Sequence, residues 1–169
     1  GLVGELAAAR SDALARWIGR EVAFPSTMVD RIVPATTPDD IETAATLTGL
    51  VDAAPVLHEP FTQWVIEDRF VDGARPDWHE VGAMLVADVA PYEAMKLRLL
   101  NAAHSALAYL GYLAGHETIG DCMTDPVLRA YAIALWSQEI IPVVPPPPSV
   151  DLDQYADALL QRFANPAIR

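Results

Sequence analysis

The chain has 169 residues, 52% of them hydrophobic, a formal charge of -12 and an isoelectric point near 4.5. That length holds one domain with a real core or pieces of two, and so acidic a surface repels a polyanion at long range, which opposes nucleic-acid binding and leaves a small ligand as the expected partner. The one cysteine, Cys122, excludes an internal disulfide, and with no Cys/His group at zinc-ligand spacing and no apolar run of membrane-spanning or secretion-signal type, a metal-free site in a reducing compartment, by default the cytoplasm, is expected.

The chain opens on "GLVGELAAAR", inside a helical pattern and without an initiator methionine, and closes on "NPAIR". It reads as a piece excised from a larger protein. A mean hydropathy of +0.20 agrees weakly, since such a piece keeps apolar surface that a neighbour would have covered, although an alanine-rich domain fits equally. Leu2, Leu6, Leu14, Trp17 and Ile18 recur at helical spacing and predict a helix over 3–20. "EVAFPSTMVDRIVP" is rich in β-branched residues and bounded by prolines, which suits one short strand or two. In "TPDDIETAATLTGLV", Thr37 as N-cap, Pro38 in the first turn and Asp40 three residues after the cap mark a helix start. A second extended stretch is expected through "PVLHEPFTQWVIED", followed by a turn or loop at "DGARPDW".

From Asp88 the pattern turns helical, with Asp88 as a cap, Pro91 in the first turn and Gly115 as the stop of one long helix. A further helix over "TDPVLRAYAIALWSQEI" is capped by Thr124 or Asp125 and halted by Pro142. Four consecutive prolines in "PVVPPPPSV" form neither helix nor ladder, so this segment reads as a rigid connector, or less simply as a docking sequence for a proline-reading partner. A last helix starts near Asp151 and stops at Asn165 and Pro166. The fold class expected is mainly α with a short mixed β portion in the first half.

"KLRLLNAAHS" interrupts an apolar helix with polar groups. On an α-helical wheel with Lys96 at zero, Glu93 falls near ~60°, His104 near ~80° and Asn101 near ~140°, with Leu97, Leu100 and Leu107 interleaved. Two readings of this stripe stay open. Lys96 snorkels, Glu93 pairs with it at the surface, and Asn101 and His104 serve neighbouring backbone; or the four groups line a cleft in which the lysine is desolvated enough to act as a base.

"KLRLLNAAHSALAYLG", preceded by "PYEAM", resembles the signature of the polyol-specific long-chain dehydrogenases, the mannitol dehydrogenase and fructuronate reductase family. "FPSTMVDRIVP", "EPFTQWVIEDRF", "DWHEVGA" and "RFANPAI" resemble further blocks of that family in the same order, so the resemblance covers nearly the whole chain. It implies that residues 1–87 are the tail of a nucleotide-binding domain and that 88–169 are a helical substrate domain of the 6-phosphogluconate-dehydrogenase C-terminal type, with family sequence missing at both ends. It also implies reversible hydride transfer between NAD or NADP and a secondary alcohol of a sugar alcohol or sugar acid, without zinc. The principal cofactor site is not in these residues, since no G-x-G-x-x-G occurs.

Carried over by motif, the resemblance makes Lys96 the general base of the oxidation, a role that requires it to be neutral part of the time. Asn101 donates to the substrate oxygen, together with a second asparagine upstream of Gly1. His104 binds hydroxyls near the reacting carbon, Glu93 relays protons between Lys96 and water, and Asp30 binds substrate hydroxyls, a structural pair with Arg31 or another arginine being the alternative. The competing function is a non-catalytic helical binding module on the same scaffold.

Other features read as structural. His58, His79 and His116 sit in loop-like or unmatched positions, and Trp64, Trp78 and Trp136 read as packing rather than sugar stacking. Gly111 and Gly115 suit close helix packing. Glu59, Glu67 and Asp68 make a metal pair only if the fold gathers them.

Overall fold

The computed structural model describes residues 1–166. The chain divides into two units, Gly1–Met28 with Gln63–Val89, and Val29–Thr62 with everything from Ala90 onward. It is mostly helical with a small three-stranded sheet of order β1-β2-β3, which is the expected coarse class.

In the first unit the helix expected over 3–20 is two helices, α1 (Leu2–Arg10) and α2 (Asp12–Glu21). Ser11 separates them: its backbone is extended and its hydroxyl accepts the Leu14 N–H at 3.3 Å. A serine offers the backbone an alternative partner and so favours a cap over a helix interior. β1 (Thr27–Asp30) begins in this unit, and β2 (Gln63–Glu67) pairs in parallel with β3 (Met84–Val86), Val65 opposite Met84 and Glu67 opposite Val86. Thr27 ties β1 to β2, its hydroxyl donating to the Val65 carbonyl at 2.9 Å and accepting the Trp64 indole N–H at 2.8 Å.

The long extended stretch expected over 55–68 therefore shrinks to five residues. β3 has no counterpart among the sequence expectations, because three residues are too few for an alternation to register. "DGARPDW" is a loop as expected, with 3₁₀ turns at Val71–Gly73 and Trp78–Val81. The Trp78 ring sits 5.8 Å from Trp64 and 5.7 Å from Phe70, so both tryptophans are packing residues.

The second unit opens with α3 (Pro38–Thr48), begun by a reciprocal capping box between Thr37 and Asp40 and ended by Gly49 at φ 71°. α4 (Ala90–Met95) runs through a π-helical stretch, Lys96–Asn101, into α5 (Ala102–Ala114), which Gly115 ends at φ 87°. α6 (Ile119–Thr124) is a short helix that the periodicity did not predict, started by a Thr118–Asp121 capping box. Asp125, rather than Thr124, caps α7 (Pro126–Ala134), which continues through a second π stretch, Leu135–Ile140, and a 3₁₀ turn to the proline segment. Asp151 caps α8 (Leu152–Phe163). The "RFANPAI" block follows α8 out of the described residues, and its Ala167 and Ile168 lie outside them.

The core of this unit is one cluster. Met95, Leu99, Ala103 and Leu107 form its seam along the long helix and pack with Leu128, Ala132 and Trp136 and with Leu159 and Phe163 of α8. Burying each large apolar side chain contributes about 1.5–3 kcal/mol, so the seam fixes the face of the long helix. Leu97, Asn101 and His104 are thereby left exposed and Lys96 half-buried. At the far end of α5, Gly111 lets Cys122 approach so closely that a Cβ there would lie 2.3 Å from its sulfur.

Candidate active site

In the second unit a cleft of about 340 Å³ is lined by Asp30, Arg31 and Ile32 from the end of β1 and by Lys96, Leu100, Asn101, His104 and Ser105. The π stretch makes this grouping. Residues five apart on an α-helix diverge by ~140°, whereas the π ladder joins residue i to residue i+5 and brings those positions back over one another. Ala102 N–H bonds the Leu97 carbonyl in this register. Lys96 and Asn101 thus share the cleft more closely than the α-helical wheel implied, and His104, one turn further on, joins them.

Lys96 Nζ donates to the Val29 carbonyl at 2.5 Å, which aims the ammonium at the strand end instead of into solvent. The His104 ring meets Phe163 edge-on at 6.2 Å between centroids. Glu93 is exposed and is not among the cleft-lining residues. Arg31, which the sequence offered only as a partner for Asp30, lines the cleft; its Nε donates to the Phe61 carbonyl at 3.0 Å and its Nη1 lies 3.3 Å from His58 Nε2.

Asp30 is fully buried, and its carboxylate is committed below the cleft. Arg162 donates from Nη2 to Asp30 Oδ1 at 2.7 Å and from Nη1 to Oδ2 at 3.0 Å, while the Tyr155 hydroxyl donates to Oδ2 at 2.6 Å. The same guanidinium holds Glu59, with Nη2 to Oε1 at 2.7 Å and Nε to Oε2 at 3.0 Å, and Glu59 Oε1 also accepts the Ile32 N–H at 2.6 Å. Phe61 covers the guanidinium at 4.1 Å. This is the arginine pair weighed for Asp30 as the alternative to substrate contact, though with Arg162 and not Arg31. Burial pulls the Arg162 pKa down, but the hydrogen bonds and charges of Asp30 and Glu59 outweigh it, and the net shift is upward. Burial first, then the Asp30 charge, pushes the Tyr155 phenol up, so it stays a donor. A single cation thus binds the end of β1 and the loop at Glu59 to α8 beneath the cleft. Its two carboxylates stand 132 and 103 residues away, which no local pattern reveals.

The acidic residues weighed as a metal pair do not gather. Glu59 binds Arg162, Glu67 accepts the Ser26 N–H at 2.9 Å, and Asp68 is paired with Arg75 at 2.7 Å, which holds its carboxyl below the usual range. Among the described residues no three His, Cys, Asp or Glu side chains are placed to hold a metal ion. No glycine-rich turn there joins a strand to a helix N-terminus, the cradle a dinucleotide pyrophosphate needs, so the residues present do not fit NAD(P) as its principal site. No described helix is long and apolar enough to cross a membrane.

Fold and cleft define a helical unit whose amine, amide and imidazole converge on a space of small-molecule size. Two models of one family match the chain: the mannitol dehydrogenase Rossmann domain over residues 2–80 and the mannitol dehydrogenase C-terminal domain over 88–169. The chain belongs to this family of polyol-specific long-chain dehydrogenases.

D-mannonate oxidoreductase of Escherichia coli is 55% identical over 164 residues, 97% of this chain and 34% of the relative. Mannitol 2-dehydrogenase of Aspergillus fumigatus is 46% identical over 94% of this chain and 32% of its own length. Among solved structures, Pseudomonas fluorescens mannitol 2-dehydrogenase in ternary complex with NAD and D-mannitol superposes with a TM-score of 0.85 at 42% identity, over 96% of this chain and 33% of that one. A D-sorbitol dehydrogenase in substrate-free form gives 0.86 at 36% identity, with the same coverage. The chain spans about a third of the length of the curated relatives it matches.

Proposed function

We propose that this chain is part of a cytoplasmic oxidoreductase acting on a secondary alcohol of a sugar alcohol or sugar acid, of the mannitol/fructose or mannonate/fructuronate type, and that it supplies substrate-side groups of the active site. The observation that carries the reading is the convergence of Lys96, Asn101 and His104 on one cleft, in a chain whose relatives are named for these substrates. NAD or NADP, when bound, supplies the hydride acceptor, and it is held mainly by protein outside this chain. Residues 1–87 are then the tail of the nucleotide-binding domain, and 88–169 the helical substrate domain of the 6-phosphogluconate-dehydrogenase-like type.

Lys96 takes the proton of the reacting hydroxyl during oxidation and returns it during reduction. For this it exchanges its bond to the Val29 carbonyl for one to substrate. Asn101 donates its amide N–H to the same oxygen, favouring alkoxide character as it develops. His104, backed by Phe163, hydrogen-bonds the neighbouring hydroxyls. Glu93, at the exposed edge one turn before Lys96, relays the proton to water. Asp30 acts below the site, holding the strand end through Arg162 instead of binding hydroxyls. The reading is zinc-independent, as the resemblance to the family implies, with the Lys96 amine taking the part that a metal ion would otherwise play.

The test is NADH turnover by the full protein that carries this chain, against fructose and fructuronate, for wild type and Lys96→Ala across pH. Loss of about 10²–10⁴ in kcat, with loss of the pH limb that reports the base, is the expected result. Near-normal turnover by Lys96→Ala would overturn the mechanism and leave the non-catalytic binding module as the better account.

A further inference from the structure

Trp136 lies on the second π stretch, 2% exposed, and its indole N–H donates to the Leu99 carbonyl at 2.8 Å. Leu99 is in the middle of the first π stretch, between Lys96 and Asn101. The Trp136 ring also packs 6.1 Å from Phe163, whose ring in turn meets His104 at 6.2 Å. One side chain therefore touches the supports of all three groups placed at the cleft.

A π ladder has poorer geometry than an α ladder and persists where something outside the helix favours it. A buried indole N–H needs an acceptor, and that of Trp136 takes the Leu99 carbonyl. The bond pins the backbone just past the Leu97 carbonyl, the π acceptor of the Ala102 N–H, at the place where the ladder returns to the α register. Without it the α register, i to i+4, regains the advantage, and Lys96 and Asn101 swing apart by the larger α-helical angle. We propose that Trp136 is a positioning residue for the cleft: its N–H holds the π register that sets Lys96 beside Asn101, and its ring fixes His104 through Phe163. The proposal rests on the reading of Lys96, Asn101 and His104 as the reacting groups.

The test uses the full protein and two replacements at position 136, Trp136→Phe and the benzothienyl-alanine isostere, which keeps the shape of the indole and lacks only the N–H. If Trp136→Phe fails to fold, the isostere still decides. The expected result is a kcat lower by about 10²-fold, the scale of a misplaced catalytic group, with the KM for the nucleotide unchanged. Faster hydrogen exchange of the Ala102 amide, which bonds Leu97 in the π register, should accompany it. Leu159→Ala, a fully buried change in the same core, serves as the control for general loosening and should leave kcat near wild type. Wild-type kcat and Ala102 exchange in the isostere, or an equal fall in kcat for Leu159→Ala, would overturn the proposal. Failure of the underlying reading shows separately, as turnover retained by Lys96→Ala; Ala102 exchange then still decides whether Trp136 holds the register.

Discussion

Arg162→Met keeps the length and much of the packing of the side chain while removing the one cation between two buried carboxylates. Asp30 is 0% and Glu59 4% exposed, and Arg162 itself 7%. Losing the guanidinium deletes its bonds to both. Asp30 keeps the Tyr155 hydroxyl and Glu59 keeps the Ile32 N–H, but neither donor carries a charge to offset a carboxylate. Removing one partner from a buried ion pair costs about 3–5 kcal/mol, because the charge left behind is uncompensated; two such charges place this variant at the upper end. The assay is guanidinium unfolding followed by far-UV circular dichroism, with the midpoint read at constant slope. In the cycle with Asp30→Asn, the double variant should lose less than the sum of the singles, by about 0.5–3 kcal/mol. A cost below about 1 kcal/mol for Arg162→Met, the value of an exposed pair, or strict additivity in the cycle, would refute the view that one buried cation holds the end of β1 and the Glu59 loop to α8.

Gly111→Ala places a Cβ 2.3 Å from Cys122 Sγ and should destabilise by about 1–3 kcal/mol through overpacking; Cys122→Ala in the same chain should restore most of the loss, read as recovery of the unfolding midpoint. Thr37→Ala removes the hydroxyl that accepts the Asp40 N–H at 3.3 Å and should cost about 1 kcal/mol in the same assay. The backbone N–H of Val127, and then His116, hold the Asp125 carboxyl below the usual range. A depressed carboxylate stabilises fully above its unfolded pKa and loses that contribution as the pH falls through the folded value. Asp125→Asn should therefore be less stable than wild type at pH 7, with the gap closing in acid; a gap independent of pH would sink this assignment.

Most helix boundaries were legible because their signals are local. Thr37 with Pro38 and Asp40, Asp125 with Pro126, Asp151, and the glycine at 115 each act within one turn of chain. Ser11 carries no such signal, because a serine is tolerated inside an apolar helical pattern, and only its extended backbone shows the break. The polar stripe on "KLRLLNAAHS" is legible in the sequence, but its α-helical wheel angles do not hold through the π stretch Lys96–Asn101. Arg162 lay unmarked on α8, since nothing near it in sequence hints at a second role.

Taken alone, the amino-acid sequence determined the mainly helical class, the caps at Thr37, Asp125 and Asp151 and the stop at Gly115, and the family, all of which rest on contiguous residues. Tertiary structure alone decided the π register of Lys96–Asn101, the burial of Asp30 and the grouping of the cleft. The register leans on a bond from Trp136 to Leu99 across 37 residues, and the Asp30 pair on Arg162 across 132. Contacts at such separations leave no periodicity in the chain, because each partner is chosen by where the core brings the backbone and not by its sequence neighbours.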